Sequence, residues 1–157
     1  MKSLFAAALA AALAGTPAAA QDASSDEALV VDVVQDFMTA FDAKDAEAMS
    51  GHITDDTAVF VIEERDADDR VQSLRMADLV AGIAGAPGEI AEPIEVTAVM
   101  VEGPVAMVWT EFGFYMDGAL SHCGVNIFTL TRIEGDWKIA TVTYSHIEDS
   151  CESAPRP

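Results

Sequence analysis

Residues 33–56 read VVQDFMTAFDAKDAEAMSGHITDD, and TAVFV follows at 57–61. The apolar positions leading into and through this stretch are Leu29, Val30, Val33, Val34, Phe37, Met38 and Phe41. Their three- and four-residue intervals place them on one broad face of an α-helix, with Asp32, Gln35, Asp36 and Thr39 opposite. The pattern breaks at Asp42-Ala43-Lys44. Asp45 then offers a side-chain oxygen to cap a second, shorter helix through Met49 to His52. Thr54-Asp55-Asp56 turns the chain, and Thr57–Glu64, β-branched and aromatic, predicts a strand. A long helix, a short helix and then a strand is the order that decides the fold.

Working outward, the charged run Arg65–Arg70 predicts a turn, Val71–Leu74 a returning strand, and 77–84 a third short helix ending at Gly85. The segment 86–93 reads as a Pro/Gly loop. Four strands follow at 95–102, 105–117, 121–133 and 137–147, with Asp117-Gly118 and Glu134-Gly135-Asp136 as hairpin turns. Helices first and strands after is an α+β order, with three helices packed on a curved antiparallel sheet of four to six strands. The domain is expected to run over 28–149, after a polar, disordered stretch at 21–27 and before a tail at 150–157.

The N-terminus has a different character. Lys2, an apolar run from Leu4 to Ala14, and Ala18-Ala19-Ala20 before Gln21 make the pattern of a secretory signal peptide over residues 1–20. Its apolar core of about 11 residues is short of the roughly 20 that span a bilayer. The expectation is a periplasmic or secreted protein with no membrane span. Across all 157 residues, 27 Asp and Glu face 8 Lys and Arg, a formal charge of −19. That balance argues against nucleic acid, whose phosphates need a basic face. In an oxidising compartment the only two cysteines, Cys123 and Cys151, read as a disulfide. Closing a loop of about 29 residues stabilises a fold by roughly 3.6 kcal/mol in the chain-entropy treatment. Two separate thiols, one in a strand and one in a frayed tail, is the other reading.

The stretch 33–61 and the closing segment SHCGVNIFTLTRIEGDWKIATVTYS at 121–145 resemble the NTF2-like superfamily, also called SnoaL-like or ketosteroid-isomerase-like. The first carries the turn Ala43-Lys44-Asp45 and the pair Asp55-Asp56. The second carries Gly124, Phe128, Arg132 and the turn before Trp137-Lys138-Ile139. The resemblance covers most of Leu29–Ile147 and implies a curved sheet wrapped around a long helix, a cone with an apolar pocket at its wide end. Steroid isomerases of this group use a first-helix Tyr as oxyanion donor and a first-strand Asp as base. An ungapped alignment puts Phe37 and Val61 at those positions. Phe37 has no hydroxyl and Val61 cannot accept a proton, so the isomerase mechanism is not carried over and the reading leans away from an enzyme.

If Ile133 faces Trp137 across the last hairpin, one sheet face pairs Leu130 with Ala140, Phe128 with Val142, Asn126 with Tyr144 and Gly124 with His146, with His122 one step further. This face is apolar near the turn and polar at its far end, as a half-lined pocket would be. Gly124 leaves room beside His146 for a ligand or an aromatic ring. The opposite face carries Thr129, Thr131, Thr141, Thr143 and Ser145. The expected function is binding of a small, largely apolar molecule, lined by Phe37, Phe41, Val59, Val61, Phe112, Phe114 and Phe128, with His122, Asn126, Tyr144 and His146 as polar handles. One rival is an isomerase, cyclase or dehydratase using His and Tyr. The other is a homodimeric interaction module whose cone is filled by its own side chains. No cofactor is called for, and His122, His146 and Glu148 match no metal-ligand spacing. Nucleotide, nucleophile-elbow and zinc-protease motifs do not occur.

Overall fold

A computed structural model describes residues 18–63 and 70–157. The signal-peptide reading and the charged turn after Glu64 rest largely on residues outside these ranges. Three helices, α1 (Ala18–Asp42), α2 (Ala46–Gly51) and α3 (Met76–Ala84), pack on seven strands: β1 (Ile53–Glu63), β2 (Arg70–Arg75), β3 (Ile90–Ala91), β4 (Ile94–Glu102), β5 (Val105–Met116), β6 (Ala119–Ile133) and β7 (Asp136–His146). The sheet runs β2-β1-β7-β6-β5-β3, and β4 also pairs β5. It is mixed, because β1 lies parallel to β7 while the other pairs are antiparallel. The α+β class holds, with one strand more than expected and one parallel pair. Among the described residues no helix is long and apolar enough to cross a membrane.

The helical stripe lies where the periodicity puts it. Val30, Val34, Phe37, Met38 and Phe41 are buried against Val108, Phe128, Leu130 and Val142 of the sheet. Lys44 takes a left-handed backbone (φ 55°) between α1 and α2, and Asp45 accepts a hydrogen bond from the Ala48 N–H at 3.0 Å as the cap of α2. α1 begins earlier than expected and takes in residues 21–27, because nothing from Ala18 to Glu27 breaks a helix. Asp26 in that stretch pairs with Arg132 of β6. β1 likewise begins at Ile53, ahead of the Thr54-Asp55-Asp56 turn that the sequence suggested. Thr57 secures this irregular start by donating from its hydroxyl to the Ile139 carbonyl at 2.8 Å.

Both long hairpins close on two residues with positive φ, Asp117-Gly118 and Glu134-Gly135, the conformation that suits the right-handed strand twist. The second turn is therefore one residue shorter than expected. Ile133 faces Asp136, and Leu130 faces Ile139 instead of Ala140. A bulge at Ala140 then restores the expected register, so that Phe128 faces Val142 and Asn126 faces Tyr144. The bulge also reverses the inward alternation of β7. Trp137 and Ile139 point to the core before it, and Val142 after it.

The disulfide between Cys123 and Cys151 is formed, with Cα atoms 5.8 Å apart. It draws the C-terminal tail back onto the outer side of the sheet. There the Tyr115 hydroxyl donates to the Pro155 carbonyl at 3.1 Å, and a Cβ on Gly113 would lie 2.6 Å from that same oxygen. The space beside Gly124 is also taken. A Cβ there would strike the Ser145 carbonyl, and the Ser145 hydroxyl accepts from the Val125 N–H at 3.0 Å. Gly124 therefore serves a close approach of β6 to β7, and the room expected there for a ligand is absent.

Candidate functional site

Between α1, α3 and the inner face of the sheet lies a half-open cavity of about 120 Å³. Phe37, Met38 and Phe41 of α1, Met76, Leu79 and Ile83 of α3, and Val59, Phe114, Phe128 and Val142 of the sheet make its apolar wall. The aromatic rings meet edge to face, Phe37 on Phe128 at 6.5 Å and Phe41 on Phe114 at 6.3 Å. Four polar residues complete the lining: Glu92, His122, Asn126 and Tyr144.

Of the residues singled out in the sequence, Phe37, Phe41, Val59, Phe114, Phe128, His122, Asn126 and Tyr144 reach this cavity. Val61, Phe112 and His146 do not line it. Val61 is buried in the core beside Tyr144 on the neighbouring strand. Phe112 lies behind the polar end, its ring edge-on to Tyr144 at 6.1 Å and to His122 at 5.8 Å. His146 stacks on His122, with ring centroids 4.0 Å apart and planes 12° from parallel, and its Nε2 lies 3.4 Å from Glu148 Oε1. Among the described residues no group of three His, Cys, Asp or Glu side chains is placed to hold a metal ion.

Glu92 is the residue the sequence reading missed. It lies in the 86–93 segment, where β3 adds a short edge strand that was not expected. Its carboxyl Oε1 accepts from Asn126 Nδ2 at 3.0 Å, and its main-chain N–H donates to Asp42 Oδ1 at 2.7 Å. Burial, with the nearby Asp42 adding to it, pushes the Glu92 carboxyl up to about 8 against the favourable Asn126 bond. The acid is thus largely neutral at pH 7 and has a proton to donate. Burial also raises Asp42 and Tyr144, the latter further through Glu92 and Glu63. His122 moves the other way, down to about 4, because burial and then His146 disfavour its charged form. The polar end of the cavity is therefore uncharged near neutrality. Thr110, opposite Asn126 on β5, carries a buried hydroxyl with no partner among the described residues.

A sequence signal for Glu92 existed but was faint. It is a lone acid between Ile90-Ala91 and Pro93-Ile94, in a chain whose acids mostly cluster. Its burial depends on Asp42 and Asn126, 50 and 34 residues away.

Comparison with known proteins agrees with this architecture. No curated protein matches the sequence. An NTF2-like protein with a cystatin-like fold from Novosphingobium aromaticivorans superposes with a TM-score of 0.67 at 19% identity, over 87% of this chain and 91% of that one. An NTF2-like protein of unknown function from Shewanella baltica gives 0.63 at 14% identity, covering 78% and 94%. A ketosteroid isomerase-like protein from Erwinia carotovora gives 0.58 at 18%, covering 78% and 96%. At these identities the likeness concerns the fold alone. Residues 25–145 match a family described as "Putative lumazine-binding". With that match over most of its length and this architecture, the chain belongs to that lumazine-binding-like family of NTF2-like fold.

Proposed function

We propose that this is an exported protein that binds a compact, flat ring compound in the cavity between α1, α3 and the sheet. The observation that carries the reading is the cavity itself, an apolar wall with uncharged polar groups gathered at one end. Its volume of about 120 Å³ resembles the roughly 150 Å³ of an engineered cavity that admits benzene. It falls below the ~300 Å³ floor of sites for drug-sized ligands. One ring or two fused rings suit it, and a four-ring steroid does not. The lumazine-binding description of the family supports a planar two-ring heterocycle as the ligand type. Native mass spectrometry of protein purified from its own cells is the test, followed by fluorescence titration of free lumazine. A small molecule that leaves on denaturation supports the reading. A bare protein mass, together with lumazine fluorescence unmoved up to millimolar protein, contradicts it.

A second reading, proton-transfer catalysis, is favoured by one observation: a neutral carboxylic acid and a neutral imidazole line the same cavity, displaced in opposite directions from their ordinary ranges. Its test is proton–deuterium exchange at the α-carbon of small cyclic ketones, abolished by Glu92→Leu.

A further inference from the structure

Among the described residues no cation answers Glu92. From α1, Asp42 accepts its main-chain N–H, bringing a second carboxylate against it. β6 presents the neutral Asn126 and His122, β7 presents Tyr144, and α3 contributes the apolar Met76, Leu79 and Ile83. Lys44, two residues beyond Asp42, spends its ammonium on the carbonyls of Ala86, at 2.8 Å, and Gly88. Asp117 accepts the Glu89 N–H at 2.8 Å. These bonds fasten the 86–93 segment, so the Glu92 carboxyl stays turned to the cavity. Asn126 supplies its only hydrogen bond among the described residues. The rest of the carboxyl group is left for a ligand.

We propose that Glu92 selects the ligand: the cavity takes an uncharged ring compound whose carbonyl oxygen or ring nitrogen accepts a hydrogen bond from the Glu92 carboxyl group, and it rejects carboxylates of the same shape. The inference rests on the ligand-binding reading and deepens it. A buried carboxyl stays neutral when its charge would go unpaired, and an anion placed beside it would have the same unpaired charge. Asp42 is the positioning residue, because it fixes the Glu92 main chain and opposes ionisation of the side chain.

Three single-ring probes of nearly equal size separate the possibilities: acetophenone with a neutral acceptor, cumene with none, and benzoate as the anion. Binding is read by ligand-observed NMR at pH 6 and pH 9.5. His122 is neutral at both values and the raised Tyr144 keeps its proton; His146, stacked on His122, is the other titratable group behind this end, so the change is assigned to Glu92 by its absence from Glu92→Gln. At pH 6 acetophenone is expected to bind about three- to tenfold more tightly than cumene, the scale of one hydrogen bond, with benzoate weakest. At pH 9.5 the preference for acetophenone falls towards one. Glu92→Gln, a neutral donor at every pH, keeps the preference at both values. Glu92→Leu removes it while cumene binding shows that the cavity persists. Equal binding of acetophenone and cumene at pH 6, or benzoate matching acetophenone, overturns the inference and leaves the ligand-binding reading intact. Absence of binding by all three overturns both.

Discussion

Replacing Glu92 with Gln keeps the side chain's shape and its bond from Asn126 but removes the ionisation, so the variant isolates the energetic consequence of burying an acid. An acid whose folded value lies above its unfolded value is at no disadvantage below the unfolded value, and it loses stability as pH rises through the folded one. Here the window runs from 4.5 to about 8. Integrating over it, at about 1.4 kcal/mol per unit, the parent loses about 3 kcal/mol by pH 7 and about 5 kcal/mol above pH 9. These figures are ceilings, because solvent reaching the half-open cavity screens part of the charge. His122 acts in the opposite sense in both proteins, so the difference between them cancels its contribution. Urea unfolding at half-unit intervals from pH 4 to 9 is the assay. The stability difference between Glu92→Gln and the parent should grow by several kcal/mol across this range. Parallel profiles would mean that Glu92 ionises as it does in water, and the reasoning about the polar end of the cavity would fail.

Reducing the Cys123–Cys151 bond, which spans 28 residues, should lower stability by roughly 3.6 kcal/mol in the chain-entropy treatment; an unchanged urea midpoint in reductant would refute this. Gly124→Ala drives a methyl group into the Ser145 carbonyl and should destabilise by about 1–3 kcal/mol, read as a drop in melting temperature. The His122 imidazole should titrate near pH 4 by NMR and move upward in His146→Ala, since His146 is one of the two causes of its depression. Its contribution to stability is complete above pH 6.5 and is lost as pH falls towards 4. A titration at the ordinary value of 6.5 would contradict the burial of this ring.

The helical stripe from Leu29 to Phe41 and the turn residues Asp117-Gly118 were legible because each encodes a local geometry: a 3.6-residue period in one case, a positive φ in the other. The inner-face pairing of Asn126 with Tyr144 was also legible, but through two compensating departures. The turn at Glu134-Gly135 is one residue shorter than its composition suggests, and the Ala140 bulge adds the residue back. Neither feature has a strong signal, since a bulge is stabilised by the packing on both sides of it. Glu92 was beyond reach for a different reason. Its chemistry comes from segments far away in sequence, and an isolated Glu in a loop ordinarily means a solvated one. The readings of Val61, Phe112 and His146 as cavity residues assumed that sharing a sheet face with the cavity means touching it. Phe112 and His146 stand behind His122, and Val61 lies in the core beside Tyr144.

The central claim is that the cavity takes a compact ring compound at its polar end. It is tested most directly by a proton–nitrogen NMR titration with lumazine, following the Asn126 side-chain amide. The expected result is a saturable shift of that amide together with shifts in the Phe37 and Phe128 main-chain amides, and silence on the outer face at Thr129 and Thr141. Shifts confined to the outer face, or an Asn126 amide that does not move at saturating lumazine, would contradict it.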